Sequence, residues 1–125
     1  MIKLLWIGLA GATGAIMRVA ISQIGFDKSG FPFSTLTVNI IGTFLLCLII
    51  AGACRKLSAH KDLQDIVTTG FLGSFTTFSA LSIETVLLME NNQFIHAGLY
   101  VICSILGGLS AGALGFRLGG RKVRT

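Results

Sequence analysis

Residues 70–84 read GFLGSFTTFSALSIE and lie in the middle of a hydrophobic run. Gly70, Gly73, Ser74, Thr76, Thr77, Ser79, Ser82 and Glu84 all fall within these fifteen positions, a density of small and polar residues that a plain lipid-facing helix does not need. Glycine, β-branched and hydroxyl residues are poor helix formers that compete for backbone hydrogen bonds. Non-helical backbone is tolerated at membrane depth only where protein buries it or where it lines a cavity, and broken membrane helices there often offer freed carbonyls to a cation. The stretch is therefore expected to handle an ion through an interrupted helix. Two other readings stay open at this level: an unbroken helix whose Ser and Thr hydroxyls bond back to their own carbonyls, and a small-residue packing face. Phe71, Phe75 and Phe78 add a second clue, because the electropositive edge of an aromatic ring can face an anion without trapping it. As isolated residues they are most often core or lipid-facing. Glu84 is the one carboxylate deep in the run and a functional candidate for that reason.

The rest of the chain sets this stretch in a bilayer. A chain of 125 residues is one domain, and 53% hydrophobic with 12% charged residues is too apolar for a soluble protein of this size. Crossing a bilayer takes about 20 mostly apolar residues, and four stretches qualify, at about 4–24, 34–54, 65–89 and 95–116. The expected fold is all-α, one four-helix transmembrane domain over residues 1–125. Lys3, the apolar run after it and Ala10-Gly11-Ala12 imitate a secretory signal, but three further spans with recurring small residues favour retention. Cys47, Cys54 and Cys103 are odd in number and lack metal spacing, so packing is their expected role. His60 and His96 fall at loops or span edges, where solvation is the plainer reading.

The net charge of +5 does not point to nucleic acid, because its distribution follows the spans. With four crossings, both termini and the loop at 55–65 share one face, which carries Lys3, Arg55, Lys56, Lys61, Arg117, Arg121, Lys122 and Arg124. The opposite face has Lys28, with Arg18 near the end of the first span. Such a bias places both termini in the cytoplasm, and the basic tail from Arg117 onward is positioned to touch anionic lipid.

In the first span Gly8, Gly11 and Gly14 leave one face nearly bare backbone, which permits close helix approach. Arg18 on the next turn either snorkels to headgroups or draws anions into a wet vestibule. Asp27-Lys28-Ser29-Gly30-Phe31-Pro32 reads as a turn, with the single proline at the entry to the second span. Thr35, Asn39 and Thr43 then recur every four residues and share a helical face. That polar stripe either bonds a neighbouring helix or lines a hydrated path. The 55–65 loop has the composition of a solvated connector. In the fourth span Ser104, Gly107, Gly108, Ser110 and Gly112 include the GxxxG pair Gly108 and Gly112, for which packing is the leading reading, while Ser104 and Gly108 share a face that admits a second polar track. The chain has no strand-linked dinucleotide motif and no nucleophile–base–orienter set, so an enzyme is not expected.

Three segments together resemble the small bacterial fluoride channels called Fluc or CrcB: AGATGAIMR at 10–18, FSTLTVNIIGTF at 33–44 and GFLGSFTTFSALSIE at 70–84. The resemblance covers all four spans, and the TTFS core with the TVN motif before it is its most specific part. It implies an antiparallel dimer of four-helix subunits with a broken third helix, two fluoride paths and a central structural sodium ion. On this implication the sodium is held by backbone carbonyls of Gly73 and Thr76, the pore asparagine is Asn39 with Thr35 in its polar track, and the first pore phenylalanine is Phe78. Arg18 takes the vestibule position and Glu84 that of the glutamate after the break. Leu81 replaces the second pore phenylalanine and Ala80 the threonine before it. Ser104 keeps the hydroxyl track of span four, but Gly108 and Gly112 stand where Ser or Thr is usual. Val19 and Ser34 replace a tyrosine and a glycine.

A subunit that inserts both ways needs little Lys/Arg bias. The strong bias here leads to a fixed-orientation subunit of the bacterial cell membrane, partnered by itself or by an oppositely oriented homologue. The implied activity is passive export of fluoride. The competing expectations are a small proton-coupled multidrug exporter, which lacks support because the first span has no carboxylate, and a non-conducting partner of a heterodimeric channel.

Overall fold

The computed structural model describes residues 1–24 and 30–120, and every element in that range is helical. Helix α1 runs Ile2–Ile24, α2 Phe33–Ile50, α3 Arg55–Ala59 and α4 Lys61–Asp65. A π-helical segment follows over Ile66–Leu72, then α5 Gly73–Phe75, α6 Phe78–Glu90 and α7 Phe94–Gly120. Four stretches are long and apolar enough to cross a membrane: Ile2–Ile24, Phe33–Ile50, Lys61–Glu90 and Phe94–Gly120. The chain is thus an all-helical, multi-pass protein. Asp27, Lys28 and Ser29 of the expected turn, and Arg121, Lys122 and Arg124 of the basic tail, lie outside the described residues.

Large apolar side chains point outward and small ones inward. Leu4, Leu5, Leu9, Ile16, Ile102, Leu106 and Leu109 are all more than half exposed, as lipid-facing residues of a membrane bundle are, whereas the buried apolar set is short: Val38, Leu72, Phe75, Leu88, Ala97, Tyr100 and Ala111. Close backbone approach does much of the packing. A Cβ at Gly14 would collide with the Phe71 carbonyl, and one at Gly70 would lie 2.7 Å from the Ile7 carbonyl oxygen, so α1 and the π-helical segment touch backbone to backbone. Helices α2 and α7 pack in the same manner, since a Cβ at Gly115 would lie 2.6 Å from the Phe44 carbonyl oxygen and one at Gly119 2.7 Å from that of Leu48.

The packing glycines differ in part from those expected. Gly112 does face Cys47 and Thr43, but a Cβ at Gly108 would meet nothing within 4 Å; the same is true of Gly8 in α1. In α7 the contact face is Gly112, Gly115 and Gly119, and Gly108 is turned off it.

The helix ends follow local chemistry. Pro32 occupies the N-cap of α2, where its missing N–H is no loss. Helix α2 stops at Ile50 because Gly52 takes φ +94°, the left-handed position of a Schellman turn, with the Ala53 N–H bonded to the Leu48 carbonyl at 3.2 Å. Asn92, at φ +59°, ends α6 likewise, and the Gln93 N–H reaches the Leu88 carbonyl at 2.8 Å. The 55–65 connector is two short helices instead of an irregular loop, and it is tied to α1: Lys3 Nζ lies 2.8 Å from Asp62 Oδ1 and 2.7 Å from Asp65 Oδ2.

Candidate ion pathway

The helical path of residues 61–90 is interrupted at Thr76 and Thr77. Helix α5 ends at Phe75, Thr76 turns to φ −80° and ψ 150°, Thr77 is extended at φ −151° and ψ 127°, and α6 starts at Phe78. Two devices hold the interruption. Asn39 on α2 clamps Thr77, accepting its N–H on Oδ1 at 2.8 Å and donating Nδ2 to its carbonyl at 2.9 Å. Thr77 in turn caps α6, its Oγ1 accepting from the Ala80 N–H at 3.3 Å. Gly42 lets α2 pass directly over the turn, since a Cβ there would collide with the Thr76 side chain.

These bonds have a consequence for the carbonyls. In a continuous helix the Gly73 carbonyl would accept from the Thr77 N–H and the Thr76 carbonyl from the Ala80 N–H. Both donors are committed elsewhere, to Asn39 Oδ1 and to Thr77 Oγ1. Gly73 and Thr76 are thus among the residues at the interruption whose helical donors are diverted, and backbone oxygens of this kind suit a hard cation.

A groove of about 450 Å³ runs along the interruption, lined by Asn39, Thr43, Gly73, Thr76, Thr77, Phe78, Leu81, Ser104, Ile105 and Gly108. It gathers Asn39, Gly73, Thr76, Phe78, Leu81 and Ser104 from the sequence-derived candidates. Phe78 is 79% exposed and presents its ring there, whereas Phe75 is buried and stacks on Phe71 with ring centroids 5.8 Å apart. Of the three phenylalanines only Phe78 lines the groove.

Hydrogen-bond donors in this region are few. Thr35 Oγ1 donates to Glu84 Oε1 at 2.8 Å, and Thr43 Oγ1 donates to the Asn39 carbonyl at 2.7 Å. The polar stripe of α2 is therefore engaged within the protein, each residue differently. Asn39 has a second amide hydrogen beyond the one given to Thr77. Ser104 Oγ is buried and has no hydrogen-bond partner among the described residues. A buried hydroxyl left unpaired costs about 1–3 kcal/mol, so a site that retains one marks a place for a ligand or water.

Thr35, Glu84 and Arg18 sit off the groove lining. Glu84 accepts from the Thr35 hydroxyl on one oxygen and from the Tyr100 hydroxyl on the other, and borders a second cavity of about 190 Å³ with Gly30, Pro32, Asn91 and Gln93. Arg18 is half-buried on α1 and forms no ion pair among the described residues. Tyr100 was not expected at the site. The signal for it was present, as the only tyrosine of the chain lies one helical turn before Ser104 on the same face of α7.

The sequence profile described as "CrcB-like protein, Camphor Resistance (CrcB)" matches residues 5–116. A protein of Desulfitobacterium hafniense (strain Y51), named fluoride-specific ion channel FluC 1, is 42% identical over 105 residues, covering 84% of this chain and 92% of that one. The fluoride-specific ion channel FluC of Vibrio parahaemolyticus is 37% identical over 115 residues, 90% of this chain and 91% of that protein. FluC 1 of Bacillus cereus (strain ATCC 14579) is 41% identical over 121 residues, 94% and 84% of the respective lengths. Matched over four apolar stretches and the whole of the interrupted segment, this chain belongs to the CrcB-like family.

Proposed function

We propose that the chain is a subunit of a fluoride-selective channel through which fluoride leaves the cytoplasm passively, driven by its gradient and the membrane potential. One observation carries the reading: the groove at Thr76 and Thr77 is lined by uncommitted donors, the Ser104 hydroxyl and one Asn39 amide hydrogen, beside the ring of Phe78. Fluoride is small and strongly hydrated, so such donors replace part of its water shell. The Phe78 edge gives a weaker station between stronger ones, in keeping with the need for binding loose enough to release. The printed names of the relatives support the same substrate.

The remaining residues support this path. Arg18 raises the local concentration of anions at a vestibule. Thr35 acts through Glu84, which it and Tyr100 hold in place one turn from Ser104. A structural sodium ion fits the carbonyls of Gly73 and Thr76, whose helical donors are diverted; when bound, it supplies a fixed positive charge beside the groove. The 61–90 stretch then crosses the bilayer as a broken third helix.

The groove opens on the surface of the chain, with extended backbone at membrane depth. Hydrocarbon cannot cover such backbone, which favours an antiparallel dimer that closes the groove with a second subunit. The Lys/Arg bias favours both termini in the cytoplasm of a bacterial cell and an oppositely oriented homologue as partner. Leu81 and Gly108 lie in the groove without a ring or a hydroxyl, and this supports a second reading, a partner subunit whose own path does not conduct. Fluoride efflux from liposomes tests both: efflux with the chain alone or with the homologue supports the channel, and loss of the homologue's own flux in the mixed dimer supports the silent partner.

A further inference from the structure

One end of the bundle collects cations in excess of the carboxylates found there among the described residues. Lys3 at the start of α1, the connector helices α3 and α4, and the last turn of α7 meet there, because Lys3 bonds to α4 and Gly119 packs on Ala51 beside the end of α2. The acidic residues of this end, Asp62 and Asp65, are both bonded to Lys3 at under 3 Å. That clasp leaves Arg55, Lys56, Lys61 and Arg117, all exposed, without an ion pair among the described residues. Leu63 on α4 is 44% exposed among these charges, and Leu57 on α3 is half-buried, so the connector carries apolar as well as basic side chains. A short basic elbow with leucines at the end of membrane spans suits the boundary between headgroups and acyl chains.

We propose that this elbow binds anionic phospholipid headgroups, with Arg55, Lys56 and Lys61 as the contacting cations. The contact is independent of fluoride and holds the basic face at one leaflet once the chain is inserted.

Trp6 makes this measurable. It is the only tryptophan, is 55% exposed, and lies on the first turns of α1 next to Lys3, at the same end. The full chain, reconstituted in phosphatidylcholine mixed with acyl-brominated phosphatidylglycerol or acyl-brominated phosphatidylcholine, reports by Trp6 quenching which lipid collects there. Phosphatidylglycerol is expected to be enriched at least about 5-fold, the ratio that ~1 kcal/mol of headgroup attraction from a single nearby cation gives. The enrichment is expected to fall clearly in R55Q/K56Q/K61Q, which leaves only Arg117 and the basic tail at that end, and to shrink in 1 M salt, where the screening length is about 3 Å. The charge-conserving R55K/K56R/K61R is expected to retain it. Equal quenching by the two brominated lipids in the wild type overturns the proposal, as does enrichment undiminished in the glutamine variant or lost in the charge-conserving one. Quenching indifferent to lipid charge but relieved by added RNA would identify a nucleic-acid surface and would equally overturn it.

Discussion

Asn39 commits its carbonyl oxygen and one amide hydrogen to the backbone of Thr77, so two substitutions separate its structural role from its role toward the ion. Asn39→Ala removes both bonds and leaves a partly buried N–H and C=O unpaired, at about 1–3 kcal/mol each; a clear fall in the thermal midpoint in detergent is expected. Asn39→Asp keeps the acceptor for the Thr77 N–H but removes the donors and adds a carboxylate to the groove proposed as the fluoride path. It is expected to abolish fluoride efflux, and undiminished flux would remove Asn39 from the pathway. Ser104 behaves in the opposite way. Its hydroxyl has no hydrogen-bond partner among the described residues, so Ser104→Ala is expected to leave the thermal midpoint unchanged or slightly raised while lowering fluoride flux about 10-fold, the value of one lost hydrogen bond to a charged group. A stability loss in Ser104→Ala would show that the hydroxyl has a structural partner instead. At this scale the family resemblance, more than spacing, named side chains that cluster: Asn39, Phe78, Leu81 and Ser104 share one groove. It was silent on which donors remain free, because Thr43 bonds its own helix and Thr35 bonds Glu84 through contacts that only the packed bundle creates.

At the scale of elements, the chain uses glycine as a contact surface, and only some glycines take part. Gly14 lies against the Phe71 backbone in the π-helical segment, whereas Gly8, two turns earlier on α1, faces open space. Gly14→Ala is expected to destabilise the protein by about 1–3 kcal/mol, the usual cost of overpacking, and Gly8→Ala to change little; thermal unfolding of the two variants side by side checks the contrast. Equal effects would show that α1 and the π-helical segment do not meet as described. Gly73, Ser74, Thr76 and Thr77 were legible as poor helix formers, and helical structure does give way at Thr76 and Thr77. The π-helix over Ile66–Leu72 was not legible, since the widened turn is set by how Gly70 and Phe71 seat against Ile7 and Gly14, a contact between elements about sixty residues apart. The connector at 55–65 is mostly exposed, in keeping with its solvated composition, and the bonds from Lys3 to Asp62 and Asp65 supply a tertiary support for helix that composition does not carry.

For the whole molecule, the distribution of charge and the open groove make separate demands. The excess of Lys and Arg at one end sets orientation at insertion, so a reporter fused to the C-terminus is expected to be found on the cytoplasmic side in essentially all molecules; equal populations on both sides would contradict a fixed-orientation subunit. The groove, with Phe78 largely exposed and the backbone of Thr76 and Thr77 extended, is the feature that the proposed second subunit would seal from lipid. Both demands bear on transport and meet in a single assay. Proteoliposomes loaded with potassium fluoride, carrying the chain alone or together with an oppositely oriented homologue, are followed with a fluoride electrode after valinomycin addition, with potassium chloride as the control. The predicted result is rapid fluoride release with no matching chloride release, abolished by Asn39→Asp. Fluoride retained in both preparations despite verified insertion, or chloride released as fast as fluoride, would contradict the account.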